Sequence, residues 1–418
     1  MLKALYRSAS LRAAAAMGIG GVCFSVGGLI LARELPTLQY ALVSLVLGIV
    51  SVAGNTAPLG LDQVAGRRGI RLDPQWRRAS LRACLTTALA AGAFAGLVYH
   101  LPFALMASVA LITLTLGVAQ SVGAHFQGQR QFGTAVWVLQ LLNVTIALIA
   151  LVTVASGLGT ATAVCGLMSL AAVIAAAAVW LLVSREREAP AHQPSPWKLR
   201  GEALSLATMQ AGGSTFLQLE RLLVGPTIGL QNLATFGVLA AFVSSPFRLL
   251  QAAVQFTLIP RLREAGDPGA RRALLWREGA LVAVPLLAGS AAIWLLAPPL
   301  ARWLLAGRYE LSEGLVTVAI LSGWLKLING FLTALIVSCG EERRLGLLSA
   351  ICWGSLGVSI AGAFVAIPWG LVGVLCGIAA GWLVRCMLAA WLAAACLKEP
   401  RNGNAPLAAE ISLRPSSR

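Results

Sequence analysis

The chain has 418 residues, of which 58% are hydrophobic and only 11% charged. Soluble domains run at about 45–50% apolar and about 25% charged, so neither a soluble enzyme nor a disordered chain fits. Lys and Arg outnumber Asp and Glu by 32 to 16, a formal +16, and the placement of those cations decides between nucleic acid and a membrane as their neighbour.

A transmembrane helix takes roughly 20 apolar residues. In chain order, the apolar runs predict twelve spans: 12–32, 38–60, 79–99, 102–125, 134–155, 158–183, 202–224, 234–258, 279–298, 314–338, 346–367 and 370–396. The first follows Lys3, Arg7 and Arg12 and mimics a signal peptide. It is too long for one, and Leu31-Ala32-Arg33-Glu34 is a poor cleavage site, so it is read as a span. The closest breaks, near Pro102, Gly157 and Trp369, each hold Gly or Pro, as tight turns between helices do. With the N-terminus cytoplasmic, 25 basic residues fall in inside segments and 3 (Arg33, Arg302 and Arg308) outside. That bias places both termini inside and accounts for most of the net charge without nucleic acid. Acidic lipid headgroups are the expected neighbours of those loops.

An internal repeat divides the chain. Asp73-Pro74-Gln75-Trp76-Arg77-Arg78-Ala79-Ser80-Leu81 and Asp267-Pro268-Gly269-Ala270-Arg271-Arg272-Ala273-Leu274-Leu275 both fit D-P-x-x-R-R-A-x-L, 194 residues apart. Asp caps a helix N-terminus and Pro suits its first turn, so each loop is expected to start a short surface helix. Arg130-Gln131-Phe132-Gly133 pairs with Arg343-Arg344-Leu345-Gly346, and Gly157-Leu158 with Gly370-Leu371, both at an offset of 213. The difference between offsets predicts extra residues in the second half, around Arg302–Glu313. Six spans per half make the repeat parallel, and such transporters hold their site between the halves near mid-membrane. The expected fold is an all-α polytopic membrane protein of about twelve helices in two six-helix lobes. The expected division is a lobe over 1–183, a cytoplasmic linker over 184–200 with Pro190, Pro194 and Pro196, a lobe over 201–397 and a cytoplasmic tail over 398–418.

Five ionisable residues lie within the spans, all in the second half: Glu220, Arg221, Arg248, Lys326 and Arg385. A charge at mid-bilayer costs roughly 2.5–3.5 kcal/mol on insertion scales, so these side chains should face the bundle interior or water. Four cations against one acid cannot all pair with one another. An internal excess of positive charge suits an anionic ligand such as a phosphate or pyrophosphate. Arg248 and Lys326 fall near mid-depth, with Arg385 there or slightly toward the cytoplasm and Glu220 and Arg221 toward the outer end of their helix. Asn329 shares the face of Lys326. The first half offers neutral counterparts in Asn55, Gln120, Gln140 and Asn143 as polar lining. Other readings stand beside these. Arg221 can snorkel outward or pair with an acid, and Arg385 can snorkel inward. Glu220 can couple an ion or simply balance a cation. His100 and His125, near span ends, read as interfacial residues. The tryptophans, such as Trp294, Trp303 and Trp369, read as interface anchors or packing.

No phosphate-binding loop, H-E-x-x-H, Cys/His metal pattern or G-x-S-x-G elbow occurs, and no two cysteines form C-x-x-C. The eight cysteines read as small apolar residues of the spans. The outside segments are short and hold only Glu34, Glu310 and Glu313 as acids. No cofactor or metal is expected, and chemistry on this chain is the weaker reading.

Leu31–Leu42, read Leu-Ala-Arg-Glu-Leu-Pro-Thr-Leu-Gln-Tyr-Ala-Leu, resembles the A-R-x-L-G-x-x-x-Y-G region of bacterial polysaccharide transporters, the Wzx-type flippases of lipid-linked oligosaccharides. Leu219-Glu220-Arg221-Leu222-Leu223-Val224-Gly225 is similar to their D-R-x-x-x-G pattern, with Glu for Asp. Ala234–Val238 with Ile259-Pro260-Arg261-Leu262, Gly307-Arg308-Tyr309 and Gly370–Val374 resemble later segments in the same order. The resemblance implies a bacterial inner-membrane protein that moves an undecaprenyl-pyrophosphate-linked glycan outward. A polysaccharide polymerase and a chain-length regulator would be its neighbours. The cationic site would then be Arg248 and Lys326, with Arg385, Asn329 and Arg221 assisting, in a hydrated cavity between lobes. Two rival readings remain at this point: a drug exporter of the same superfamily, which would favour cavity carboxylates, and a non-transporting scaffold of a polysaccharide-assembly complex.

Overall fold

Within a bilayer each backbone N–H and C=O must be satisfied by the segment itself or a closed barrel, and these long apolar runs meet that demand as helices. The computed structural model describes residues 9–129, 131–184, 193–265, 267–339 and 342–397. Its first half contains α1 (Ala9–Glu34), α2 (Thr37–Thr56), a short α3 (Leu61–Arg68), α4 (Pro74–Tyr99), α5 (Phe103–Gly128), α6 (Phe132–Ser156) and α7 (Ala161–Ser184). The second contains α8 (Arg200–Ile228), α9 (Leu230–Leu239), α10 (Ser245–Glu264), α11 (Pro268–Leu304), α12 (Glu313–Cys339), α13 (Glu342–Val365) and α14 (Gly370–Cys396). A π-helical turn, Ala240–Ser244, joins α9 to α10 without a break. Eleven helices are long and apolar enough to cross a membrane. The twelfth crossing is α8, whose 29 residues reach about 43 Å at 1.5 Å per residue. Its charges lower its hydropathy, and those charges belong to the candidate site. The protein is therefore an all-helical, multi-pass membrane protein of two six-helix lobes. Residue 130, the linker residues 185–192 and the tail from 398 lie outside the described residues.

Both D-P motifs cap helices. The Asp73 carboxylate accepts from Trp76 N–H at 2.8 Å, and Asp267 from Ala270 N–H at 2.9 Å, with Pro74 and Pro268 in the first turns. The helices they start are not short surface helices. Each runs unbroken into a span, α4 with no Gly or Pro between Pro74 and Gly92 and α11 straight through Gly279 and Pro285. The surplus residues of the second half lie partly in α11, 37 residues against 26 in α4, and partly in the turn 305–312 that follows it.

The turns rich in Arg gather at one end of the molecule, termed here the basic end. There two apolar clusters form: Val64, Leu72, Trp76, Val122 and Phe126 of the first half with Ala203 and Leu206 at the start of α8, and Leu258, Leu262, Leu335, Leu348 and Leu392 within the second half. At the opposite end one cluster runs through both halves, from Leu31, Leu35 and Tyr40 to Leu305, Tyr309 and Leu311. Polar contacts reinforce that junction. Arg308 donates to the Arg33 carbonyl at 2.7 Å, Tyr309 donates to Ala32 O at 3.4 Å, and the Tyr40 and Tyr309 rings meet edge to face at 6.3 Å.

His125 is not interfacial. It is 2% exposed, and its Nδ1 accepts from Leu72 N–H at 3.2 Å, so it pins the 69–73 turn. Trp76 is likewise a core residue, its indole N–H donating to Pro194 O at 3.0 Å. Trp294, Trp303 and Trp369 are exposed along the bundle, as interface anchors require.

The turn between α2 and α3 brings the halves close at the basic end. Gly60 has φ +78°, and a Cβ there would sit 1.9 Å from the Ala203 carbonyl oxygen of α8. Gly60→Ala should therefore lower the thermal denaturation midpoint, with about 1–3 kcal/mol from backbone strain alone. A midpoint equal to wild type would refute that close approach. Beside it, burial of Asp62 in α3 raises its carboxyl to about 6, against the opposing N–H of Gln63. An acid raised on folding favours the folded state below its unfolded pKa and loses that contribution as pH rises through the folded one. The Asp62 contribution is thus expected to fall between about pH 4 and pH 6. Asp62→Asn should flatten the midpoint-versus-pH curve in that window, and an unchanged curve counts against it.

Candidate functional site

Successive residues on a helix diverge by about 100°, so Glu220 and Arg221 of α8 leave on different faces and do not pair. Glu220 shares the face of Phe216, turned toward α12 and α14, whereas Arg221 shares that of Leu217, turned toward the first half.

Glu220 Oε1 accepts from Lys326 Nζ of α12 in a short, buried ion pair. The two residues are 3% and 5% exposed. Lys326 also lies 5.6 Å from the centroid of the Trp382 ring of α14. One turn along, the Arg385 guanidinium sits 5.2 Å from the rings of both Trp382 and Phe216, which pack edge to face at 4.1 Å. An aromatic pair thus lies beside both cations. Cation–π attraction at desolvated sites reaches about 2 kcal/mol, which offsets part of the desolvation cost.

Arg248 reaches the site through the π turn. Pro246 has no N–H to donate, and the widened turn accommodates it. Phe247 then fills the space where Gly323 of α12 lacks a Cβ. Arg248 Nη2 donates to Leu217 O at 3.0 Å, which ties α10 to α8. Arg221 lies at the junction of the halves. Its guanidinium is 5.2 Å from the Phe24 ring of α1, and its Cβ packs where Gly48 of α2 has none. It is buried rather than snorkelling, and it forms no ion pair with an acid among the described residues.

Two sequence expectations change here. Lys326 is not a stranded cation, because Glu220, remote by 106 residues in sequence, neutralises it. The cluster is also buried in this conformation rather than lining an open cavity: Glu220, Arg221, Lys326, Asn329 and Arg385 are all buried, and Arg248 is half-buried. The neutral residues of the first half pair among themselves, Gln120 with Asn55 at 2.9 Å and Asn143 with Gln140 at 2.6 Å. All four are half-buried. Their described hydrogen bonds do not reach the cations.

What remains is a set of buried donors with no acceptor among the described residues: Arg221 Nε and Nη1, Arg248 Nε, Arg385 Nε and Asn329 Nδ2, together with the indole N–H of Trp382. One carboxylate against four cations leaves the cluster at +3. Phe216 and Trp382 escaped the sequence reading. Their i,i+4 and i,i+3 spacing to Glu220 and Arg385 was the available signal, but aromatic residues at such spacings are common in apolar helices.

No family model matches the sequence, and no curated protein matches it significantly. Solved structures do match in fold. A multidrug resistance MATE family transporter of the MOP superfamily in an inward-facing conformation aligns with a TM-score of 0.66 at 14% identity, covering 92% of this chain and 96% of that one. The outward-facing conformation of a MATE family transporter of that superfamily gives 0.59 at 15% identity over 94% and 96%. A MOP superfamily transporter from Pyrococcus furiosus, whose binding pocket is described as of reverse polarity suggesting different function, gives 0.63 at 16% identity over 94% and 96%. The chain thus has the fold of MOP superfamily transporters.

Proposed function

We propose that this protein is a transporter that moves an anionic lipid-linked headgroup, an undecaprenyl-pyrophosphate-linked oligosaccharide, across the bacterial inner membrane for polysaccharide assembly. The observation that carries this is the sign of the buried charge. The buried charges comprise three guanidiniums with unpartnered nitrogens and one ammonium, with Asn329 on the face of Lys326, against a single carboxylate that Lys326 already engages. A pyrophosphate offers many acceptor oxygens and two or more negative charges, which suits such donors. A cationic drug would meet an excess of like charge, so the drug-exporter reading is the weaker of the two.

The packing supports a direction. The halves share one continuous core at the end away from the Arg-rich turns, whereas at the basic end they meet only where α3 and its turn pack on the start of α8, and the rest of the second half keeps its own cluster. With that end cytoplasmic, as the charge bias indicates, the headgroup enters between the lobes from inside. Rocking of the lobes then parts the Arg308–Tyr309 junction and releases the headgroup outside, while the polyprenyl chain stays in lipid. Adjacent polymerase and chain-length regulator proteins fit this role as partners.

Arg248→Gln tests the reading in proteoliposomes loaded with a fluorescent polyprenyl-pyrophosphate-linked sugar. Loss of one charge-assisted contact, worth roughly 1.5–3 kcal/mol, should slow headgroup translocation about tenfold or more at equal protein level. A scaffold without transport of its own would show no translocation with the wild type and would tolerate the change in cells. A wild-type protein that moves no such lipid, across a panel of phosphorylated headgroups, refutes the proposal.

A further inference from the structure

The Glu220–Lys326 pair has a feature that simple charge balance does not explain. Only one carboxylate oxygen is used: Glu220 Oε1 meets Lys326, whereas Oε2 is buried without a hydrogen-bond donor among the described residues. A structural ion pair in an apolar interior is stable when its remaining lone pairs are satisfied. This one is left half-satisfied, while Arg248, Arg385 and Asn329 keep buried donors free nearby. Lys326 also feels the like charges of Arg248 and Arg221. A single carboxylate offsets only part of that repulsion, and a second, acceptor-rich anion would relieve more of it.

We propose that Glu220 is an internal stand-in for the substrate's phosphate: its carboxylate occupies the Lys326 ammonium in the resting state and is displaced from it by the anionic headgroup. This rests on the function proposed above and assigns Glu220 a role in setting substrate affinity. The arriving anion carries more charge and more acceptor oxygens than one carboxylate and engages Lys326 together with Asn329, which lies on the same face of α12 and whose Nδ2 has no acceptor among the described residues. The ion pair therefore screens Lys326 from weak anions, and only a ligand with several acceptor oxygens replaces it. It also keeps the headgroup from binding too tightly to leave, because Glu220 returns to Lys326 on release.

The test measures binding of farnesyl pyrophosphate to the purified full-length protein in nanodiscs. Glu220→Gln removes the competing charge and should tighten binding about tenfold or more, a factor equivalent to about 1.4 kcal/mol, while slowing translocation because release becomes harder. Glu220→Asp, one methylene shorter, should fall between wild type and Glu220→Gln, and it reads the same competition if the amide variant does not fold. Glu220→Gln combined with Lys326→Gln keeps the pair neutral and should lose the gain. Equal or weaker binding by both single Glu220 variants, or a gain that survives in the double variant, overturns the inference. If wild-type binding still depends on Arg248 in that case, the headgroup reading stands. If no variant binds the probe, both fail.

Discussion

The cost of placing charge in a low-dielectric interior governs this molecule. Eleven helical stretches are long and apolar enough to cross a bilayer, whereas α8 is a long helix outside that set and carries adjacent Glu220 and Arg221. Its stability within the bundle depends on partners from distant helices: Lys326 from α12 for the acid, and Phe24 from α1 for the arginine. Breaking a buried pair by removing one partner typically costs about 3–5 kcal/mol. Replacing both by apolar residues often costs nothing, so a pair kept in such surroundings points to a use beyond stability.

The site is built from aromatic and backbone supports more than from acids. Phe216 and Trp382 flank Arg385, Leu217 O accepts from Arg248, and the π turn at Ala240–Ser244 sets the register that carries Arg248 to α8. These supports hold cations without cancelling their charge. Carboxylates in the same places would have neutralised the cluster.

The two halves perform different physical tasks despite their repeated plan. In the first half the amides among the internal polar groups are neutral and pair with one another, as Asn55 does with Gln120. In the second half the internal charged groups are incompletely satisfied. The halves meet through apolar packing and a few polar contacts at one end, and through α3 and the start of α8, where Arg68 pairs with Glu202, at the other.

The amino-acid sequence by itself determined the helical class, the number of crossings, the six-plus-six plan and the caps at Asp73 and Asp267. These follow from local rules: apolar length, turn residues and the hydrogen bonds of a helix end. It also identified the five intramembrane charges, because a charge in an apolar run is conspicuous without any structure. Only the tertiary structure decided which charge is neutralised, that His125 holds a turn instead of an interface, that the D-P turns lead straight into spans, and that Arg221 lies against α1 and α2. Pairing across 106 residues depends on helix rotation and packing order. Neighbouring residues do not encode these, since a change of one position on a helix turns a side chain by about 100°.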